Sequence, residues 1–274
     1  MSRVRVIAVL IICAAIAYGC YRLFLHTSHL QPAVVTPQMD ARKAVAPSLA
    51  EHVKRLLREQ GVSGTIAGRP KLIALTFDDG PYPVFTPLLL DELNALKIPA
   101  TFFLIGHDAQ HWPELTRRIE RSGDEVANHT QTHPDLDLLS DAQVRNEIAE
   151  GRASLEALVH DPAVDTFFRP PHGRYTAATL QVAQSLGYTT ILWTDDPGDW
   201  RSSQVTPEEL AQHLRRFATA PDIVLLHNGE LATIEMLPEV AAAFRSAGYR
   251  FVTVGQLLKA VRTDDVNHPA RHPV

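Results

Sequence analysis

From Lys71 onward, short apolar runs alternate with longer amphipathic segments, and this alternation limits the fold more than any other feature of the chain. The runs Leu72–Phe77, Thr101–Ile105, Glu125–Ala127, Thr166–Arg169, Thr189–Thr194, Ile223–Leu226 and Arg250–Val254 are expected as strands. Thr86–Leu96, Pro113–Ser122, Asp141–Val159, Ala177–Leu186, Pro207–Phe217 and Leu237–Ala247 are expected as helices. Several of these have readable ends. Ser140 is an N-cap, Thr206 precedes Pro207, and Gly123, Gly187 and Gly248 fall just past C-termini. Strand followed by helix, repeated, demands a parallel sheet. The units span about 190 residues, too few for an eight-fold barrel, which takes about 250. The expected fold class is α/β, a seven-stranded or irregular (β/α) barrel. An open doubly wound sheet is the alternative, since periodicity does not separate the two. No glycine-rich dinucleotide fingerprint follows any strand.

The N-terminus carries Arg3 and Arg5, then an apolar run from Val6 to Tyr21, Arg22, and Leu23–Leu25. With Arg22 snorkelling, the stretch approaches the roughly 20 residues of a spanning helix. Residues 1–26 are therefore expected to be a signal anchor or a signal peptide, with the remainder exported and held at the membrane. Ala17-Tyr18-Gly19-Cys20 loosely resembles a lipobox, so a lipoprotein is an alternative, and a buried core helix is another. Residues 27–69, broken by Pro32, Pro37 and Pro47, are expected as a stalk with one short helix over Ser48–Gln60, or as disorder. The folded domain then covers 70–260, and 261–274 is a tail. Only this one segment approaches spanning length, which excludes a multi-span transporter. Net charge is −5, which gives no footprint for nucleic acid. Both cysteines, Cys13 and Cys20, lie in the apolar segment, so a metal in the domain must be held by His and carboxylate.

The polar residues sit where the expected strands end. These are Asp78-Asp79-Gly80-Pro81, Asn128 to His133, Arg169-Pro170-Pro171-His172-Gly173, Asp195 to Trp200, and His227-Asn228-Gly229. In a (β/α) barrel the C-terminal strand ends open on one face, where active sites are built. Asp78 and Asp79 would repel each other unless a cation or Arg compensates, although Asp-Gly-Pro is also ordinary turn chemistry. His129 and His133, four apart, would share one side of a helical turn, a spacing suited to one metal ion; two solvated loop histidines are the alternative. With Asp79 they make a three-ligand set that leaves positions open for water and substrate. Arg169 is presented by a rigid Pro-Pro segment, or is solvated on a loop. His227 closes an apolar run and would usually be a core histidine; a nearby carboxylate such as Asp199 would keep it protonated as a general acid. Trp200 is either core or part of an acidic aromatic loop.

Together the five segments resemble the motifs of the polysaccharide deacetylases, the NodB-homology family of carbohydrate esterases (carbohydrate esterase family 4). The resemblance runs from about Pro70 to Leu258, in order, and Thr76-Phe77-Asp78-Asp79-Gly80-Pro81 with His129-x-x-x-His133 is its specific part. It implies a distorted (β/α) barrel and removal of acetyl groups from an N-acetylated glycan such as peptidoglycan or chitin. It also implies a divalent metal, zinc first, with cobalt, nickel or iron(II) as alternatives, on Asp79, His129 and His133. By the same resemblance Asp78 is the general base, Arg169 its orienting partner, His227 the general acid and Asp199 the group that tunes it. Leu225 and Trp200 would form the pocket for the acetyl methyl group. His172 stands where the family usually has Tyr; its backbone N–H would still serve the oxyanion. O-acetyl esters and small amides are alternative substrates, and a non-catalytic glycan-binding module is the alternative of another class.

Overall fold

The computed structural model describes residues 71–218 and 222–267. The expected anchor (1–26), stalk (27–69) and Ser48–Gln60 helix lie outside the described residues. Among the described residues no helix is long and apolar enough to cross a membrane.

The chain folds as β1 (Leu72–Asp78), α1 (Phe85–Leu96), β2 (Ala100–Leu104), α2 (Gly106–His111), α3 (Pro113–Arg121), β3 (Glu125–Asn128) and α4 (Asp141–Glu156). It continues as α5 (Ala163–Thr166), β4 (Phe167–Phe168), α6 (Ala177–Ser185), β5 (Thr189–Thr190) and α7 (Pro207–Phe217). The last elements are β6 (Asp222–His227), α8 (Leu231–Ser246), β7 (Arg250–Phe251) and α9 (Val254–Asn267). All pairings are parallel, in the order β5-β4-β3-β2-β1-β6, with β7 on Leu72 and Ile73 of β1. The two ends of this ladder are joined by the segment after β5. Its Ile191 N–H donates to Phe168, and its Thr194 N–H donates to Ile223, 2.9 Å away. Asp195 forms an isolated bridge with Val224. The fold is the expected (β/α) type, with an irregular seam in place of regular strands.

The capping signals act as read. Ser140 and Thr206 each close a reciprocal capping box, with Gln143 and Glu209. Two departures have local causes, and a third is an added helix. The start of the expected fourth strand is helical, because Asp161 captures the Ala163 N–H with one oxygen (2.8 Å) and the Val126 N–H with the other (2.8 Å). The expected Thr189–Thr194 strand is two residues long, because the chain crosses there from β4 to β6. Helix α9 was not expected, and it runs through 261–267, assigned above to the tail.

Side chains alternate across a strand, and this parity sorts the barrel. Ile73, Leu75, Phe77, Phe102, Leu104, Val126, Val224 and Leu226 pack outward against the helices. The alternate row points inward. At the N-terminal end of the strands it is apolar, with Leu72, Ala74, Phe103, Ala127 and Phe167. Helix α9 packs Val254 and Leu257 onto that layer and covers this end. Glu125 ties the helix down, accepting from Thr101 Oγ1 (2.8 Å), Thr253 Oγ1 (2.6 Å) and the Gly255 N–H (3.1 Å). Toward the C-terminal ends the inward row becomes mostly polar. The same parity that buries Leu72 and Ala74 therefore delivers Thr76, Asp78, His129, Arg169, Leu225 and His227 to the open end.

Candidate active site

Asp78 and His227 are register partners on adjacent strands, β1 and β6. Asp78 is buried, and its Oδ1 accepts from Arg169 Nη1 at 2.6 Å. The Arg169 side chain has no solvent exposure. Its Nη1 also donates to Thr76 Oγ1 (2.8 Å), its Nε to the Ile191 carbonyl (3.1 Å), and its plane lies 4.0 Å from the Phe103 ring centroid. Burial pushes the Asp78 carboxyl up to about 6, against the opposing pull of Arg169 and His227. The result is a buried carboxylate with one oriented oxygen and a basicity suited to neutral pH.

Asp79 turns out of the strand with φ 70°. Its Oδ1 lies 3.2 Å from His133 Nε2 and 3.8 Å from His129 Nε2. One donor atom from each of Asp79, His129 and His133 falls within 4.8 Å of the others. The two histidines do meet, but not on a helical turn as expected. The stretch is a loop with Thr130 at φ 71° and His133 at φ 61°. Its amides are held individually. Asn128 Oδ1 accepts the Thr130 N–H (2.9 Å), Thr130 Oγ1 accepts the His133 N–H (3.0 Å), and Glu147 of α4 accepts the N–H groups of Gln131 (3.1 Å) and Thr132 (2.8 Å). Helix α4 can come this close because residue 151 is glycine. A Cβ there would sit 2.6 Å from Asn128 Oδ1 and 2.7 Å from the Thr130 carbonyl carbon. Glu147 and Gly151 were not singled out from the sequence. A glycine inside a helical pattern was the one available signal.

The donor set fits a divalent cation. His129 Nδ1 lies 2.8 Å from the Arg169 carbonyl, so Nδ1–H donates there and the Nε2 lone pair faces the aspartates. Burial, with His133 close by, lowers the His129 pKa well below the ordinary value; burial also lowers that of His133. Two neutral imidazoles and a carboxylate are the donors such an ion requires.

Asp199, fully buried, accepts from His227 Nδ1 (2.8 Å) through one oxygen. Its other oxygen accepts the His227 N–H (2.7 Å) and the Thr233 hydroxyl (2.7 Å). Burial works against a charged His227, but Asp199 together with Asp79 and Asp78 outweighs it, and the pKa rises to about 9. His227 is thus a bound imidazolium facing a carboxylate, not a core histidine.

Of the three expected substrate contacts, Leu225 and His172 have neighbours in the site, and Trp200 directly follows Asp199. Leu225 is the inward neighbour of Thr76 across the β1–β6 ladder and is buried. Trp200 is 56% exposed, which excludes the core reading. His172 sits at φ 55° after Pro170 and Pro171, and its N–H makes no hydrogen bond among the described residues. Its ring packs edge-on to His133 at 4.5 Å.

Residues 65–191 match the family model of the polysaccharide deacetylases. The chain is 38% identical over 203 residues to a peptidoglycan-N-acetylglucosamine deacetylase of Bacillus cereus, covering 72% of this chain and 93% of that one. The chain belongs to the polysaccharide deacetylase family. It is thereby a hydrolase of the class that acts on the amide bonds of glycans. A chitooligosaccharide deacetylase of Sinorhizobium fredii is 35% identical, with 75% of this chain and 89% of that one covered. The solved peptidoglycan deacetylase PdaC of Bacillus subtilis superimposes with a TM-score of 0.66 at 29% identity, over 74% of this chain and 97% of that one. A CE4 family pseudoenzyme from Bacillus anthracis matches almost as well, with a TM-score of 0.65 at 28% identity over 69% of this chain and 66% of that one. The same backbone is thus shared by a peptidoglycan deacetylase and by a pseudoenzyme.

Proposed function

We propose that this deacetylase hydrolyses the N-acetyl group of an N-acetylglucosamine-containing glycan with the help of a divalent metal. The observation that carries the reading is the pairing of a buried, Arg-oriented carboxylate (Asp78) with an Asp-bound imidazolium (His227) beside the Asp79, His129 and His133 donors. Those three residues would hold the ion, zinc first among ions that suit this donor set, with cobalt, nickel or iron(II) as alternatives. When bound, such an ion acts as a Lewis acid and lowers the pKa of water. Asp78 takes the proton from the attacking water, and Arg169 keeps the accepting carboxylate ionised and aimed. The free His172 N–H donates to the oxygen that gains charge, an effect worth about 3–4 kcal/mol per good donor elsewhere. His227 passes its proton to the departing amine, and acetate leaves. Leu225 and Trp200 would enclose the methyl group. Base and acid are separated by environment, one raised by burial and the other by a carboxylate partner.

The test is acetate release from peptidoglycan, chitin oligomers and acetylated xylan by the purified protein, paired with metal analysis. Release from the first two supports the reading. Release from xylan alone would favour the O-acetyl ester alternative, and release from none would leave the non-catalytic module. Export and membrane attachment through residues 1–26 are a further part of the proposal; they rest on the sequence pattern of that segment.

The acid role makes a pH prediction. A group that acts in its protonated form loses activity as pH rises through its pKa, so the alkaline limb of kcat/KM should lie above the ordinary histidine range, because Asp199 raises the His227 pKa. In Asp199→Asn the carboxylate that raises the His227 pKa is gone, and the limb should move toward the ordinary histidine range of about 6.5. An unmoved limb in the Asp199→Asn pH profile would remove Asp199 from this role.

A further inference from the structure

We propose that His172, held by Asp135, is a positioning residue for the metal-binding imidazole of His133; the inference rests on the metal reading above. The two histidines of the donor set are anchored differently. The His129 side chain is 1% exposed and donates its Nδ1–H to the Arg169 carbonyl. The His133 side chain is 21% exposed, and its ring makes no such hydrogen bond among the described residues. What it has instead is two ring neighbours, His129 tilted at 4.8 Å and His172 edge-on at 4.5 Å and 78°. The first is fixed by the barrel. The second would swing freely, since its side chain is 55% exposed, but its Nδ1 lies 2.7 Å from Asp135 Oδ1.

Asp135 is in turn fixed. Its other oxygen is 3.0 Å from Arg174 Nη1, and Arg174 grips Asp137 through Nε (3.0 Å) and Nη2 (2.9 Å). The backbone at residue 172 supports the placement, because Pro170 and Pro171 precede the left-handed turn at φ 55° that carries the ring. An aromatic edge against a ring that must keep one lone pair on an ion acts as a mechanical stop, supplying in packing what a carbonyl acceptor supplies to His129. Residues that orient metal ligands from outside typically change affinity by about 10- to 100-fold when removed.

The experiment measures zinc affinity by competition with a chromophoric chelator. The full chain is used as wild type, His133→Ala, His172→Ala, Asp135→Asn and the His172→Ala/Asp135→Asn double variant. The metal-free melting temperature of each is recorded alongside. We expect His172→Ala to bind zinc about 10- to 100-fold more weakly with an unchanged metal-free melting temperature. Asp135→Asn should weaken binding in the wild-type background and add nothing in the His172→Ala background, because Asp135 acts through His172. Wild-type affinity in His172→Ala, or an Asp135→Asn effect that is the same with and without His172, overturns the inference. If wild type binds no zinc, or His133→Ala binds it as wild type does, the metal reading itself fails.

Discussion

Asp79→Ala is expected to abolish zinc binding and acetate release together. Asp79 supplies the single carboxylate of the donor set, with Oδ1 facing both His133 and His129. Removing it leaves two neutral imidazoles, and the loss should exceed the 10- to 100-fold that follows when only an outer partner of a metal ligand is removed. His129→Ala should give the same double loss, with an added stability cost, because the buried Arg169 carbonyl then loses its donor. Asp79→Ala is the cleaner variant for this reason. Metal stoichiometry and turnover measured on the same preparation check the prediction. A metal-free Asp79→Ala protein that still releases acetate at the normal rate would break the link between this cluster and the chemistry.

Arg169→Met should be the most destabilising single change in the site. Arg169 is a fully buried cation whose charge faces the buried Asp78 at 2.6 Å. Taking one partner from a buried ion pair leaves the other desolvated and uncompensated, which costs about 3–5 kcal/mol. The Asp78 carboxyl, already pushed up to about 6, loses the largest group pulling it down and should rise further. Its base form is then scarce at neutral pH, and turnover falls with stability. The paired variant Arg169→Met/Asp78→Leu separates the two effects. It removes both charges, so much of the stability should return while activity stays lost. Chemical denaturation midpoints for the single and double variants decide this, and equal destabilisation in both would show that the charge pair is not the source.

Much of the site was legible because it depends on parity and position. Asp78, Arg169 and His227 each end a strand or follow one directly, and the alternation that hides Leu72 and Ala74 dictates which way they face. Asp79, His129 and His133 were legible as a donor set, though the geometry joining the two histidines was not. Two left-handed residues and a carboxylate from another helix, Glu147, shape that loop. Such backbone turns leave no periodic trace, and the partners are separated in sequence by 15 or 16 positions. The same holds for Asp161, whose capture of two amides turned the start of an expected strand into a helix. Helix α9 was missed for a different reason. Its amphipathic pattern becomes meaningful only beside the inward layer that it covers. The Tyr-to-His departure at residue 172 was visible, but its contact with His133 needed three dimensions.

Helix α9 also bears on the traffic of the proposed reaction. Among the described residues, Val254 and Leu257 pack over the N-terminal end of the strands, away from the Asp78 and His227 end. Under the proposed reading, a glycan would then lie across the opposite rim and offer its acetamide to the strand ends from outside. Acetate would leave by the side on which the sugar arrived, so product departure and movement of the glycan would share one doorway.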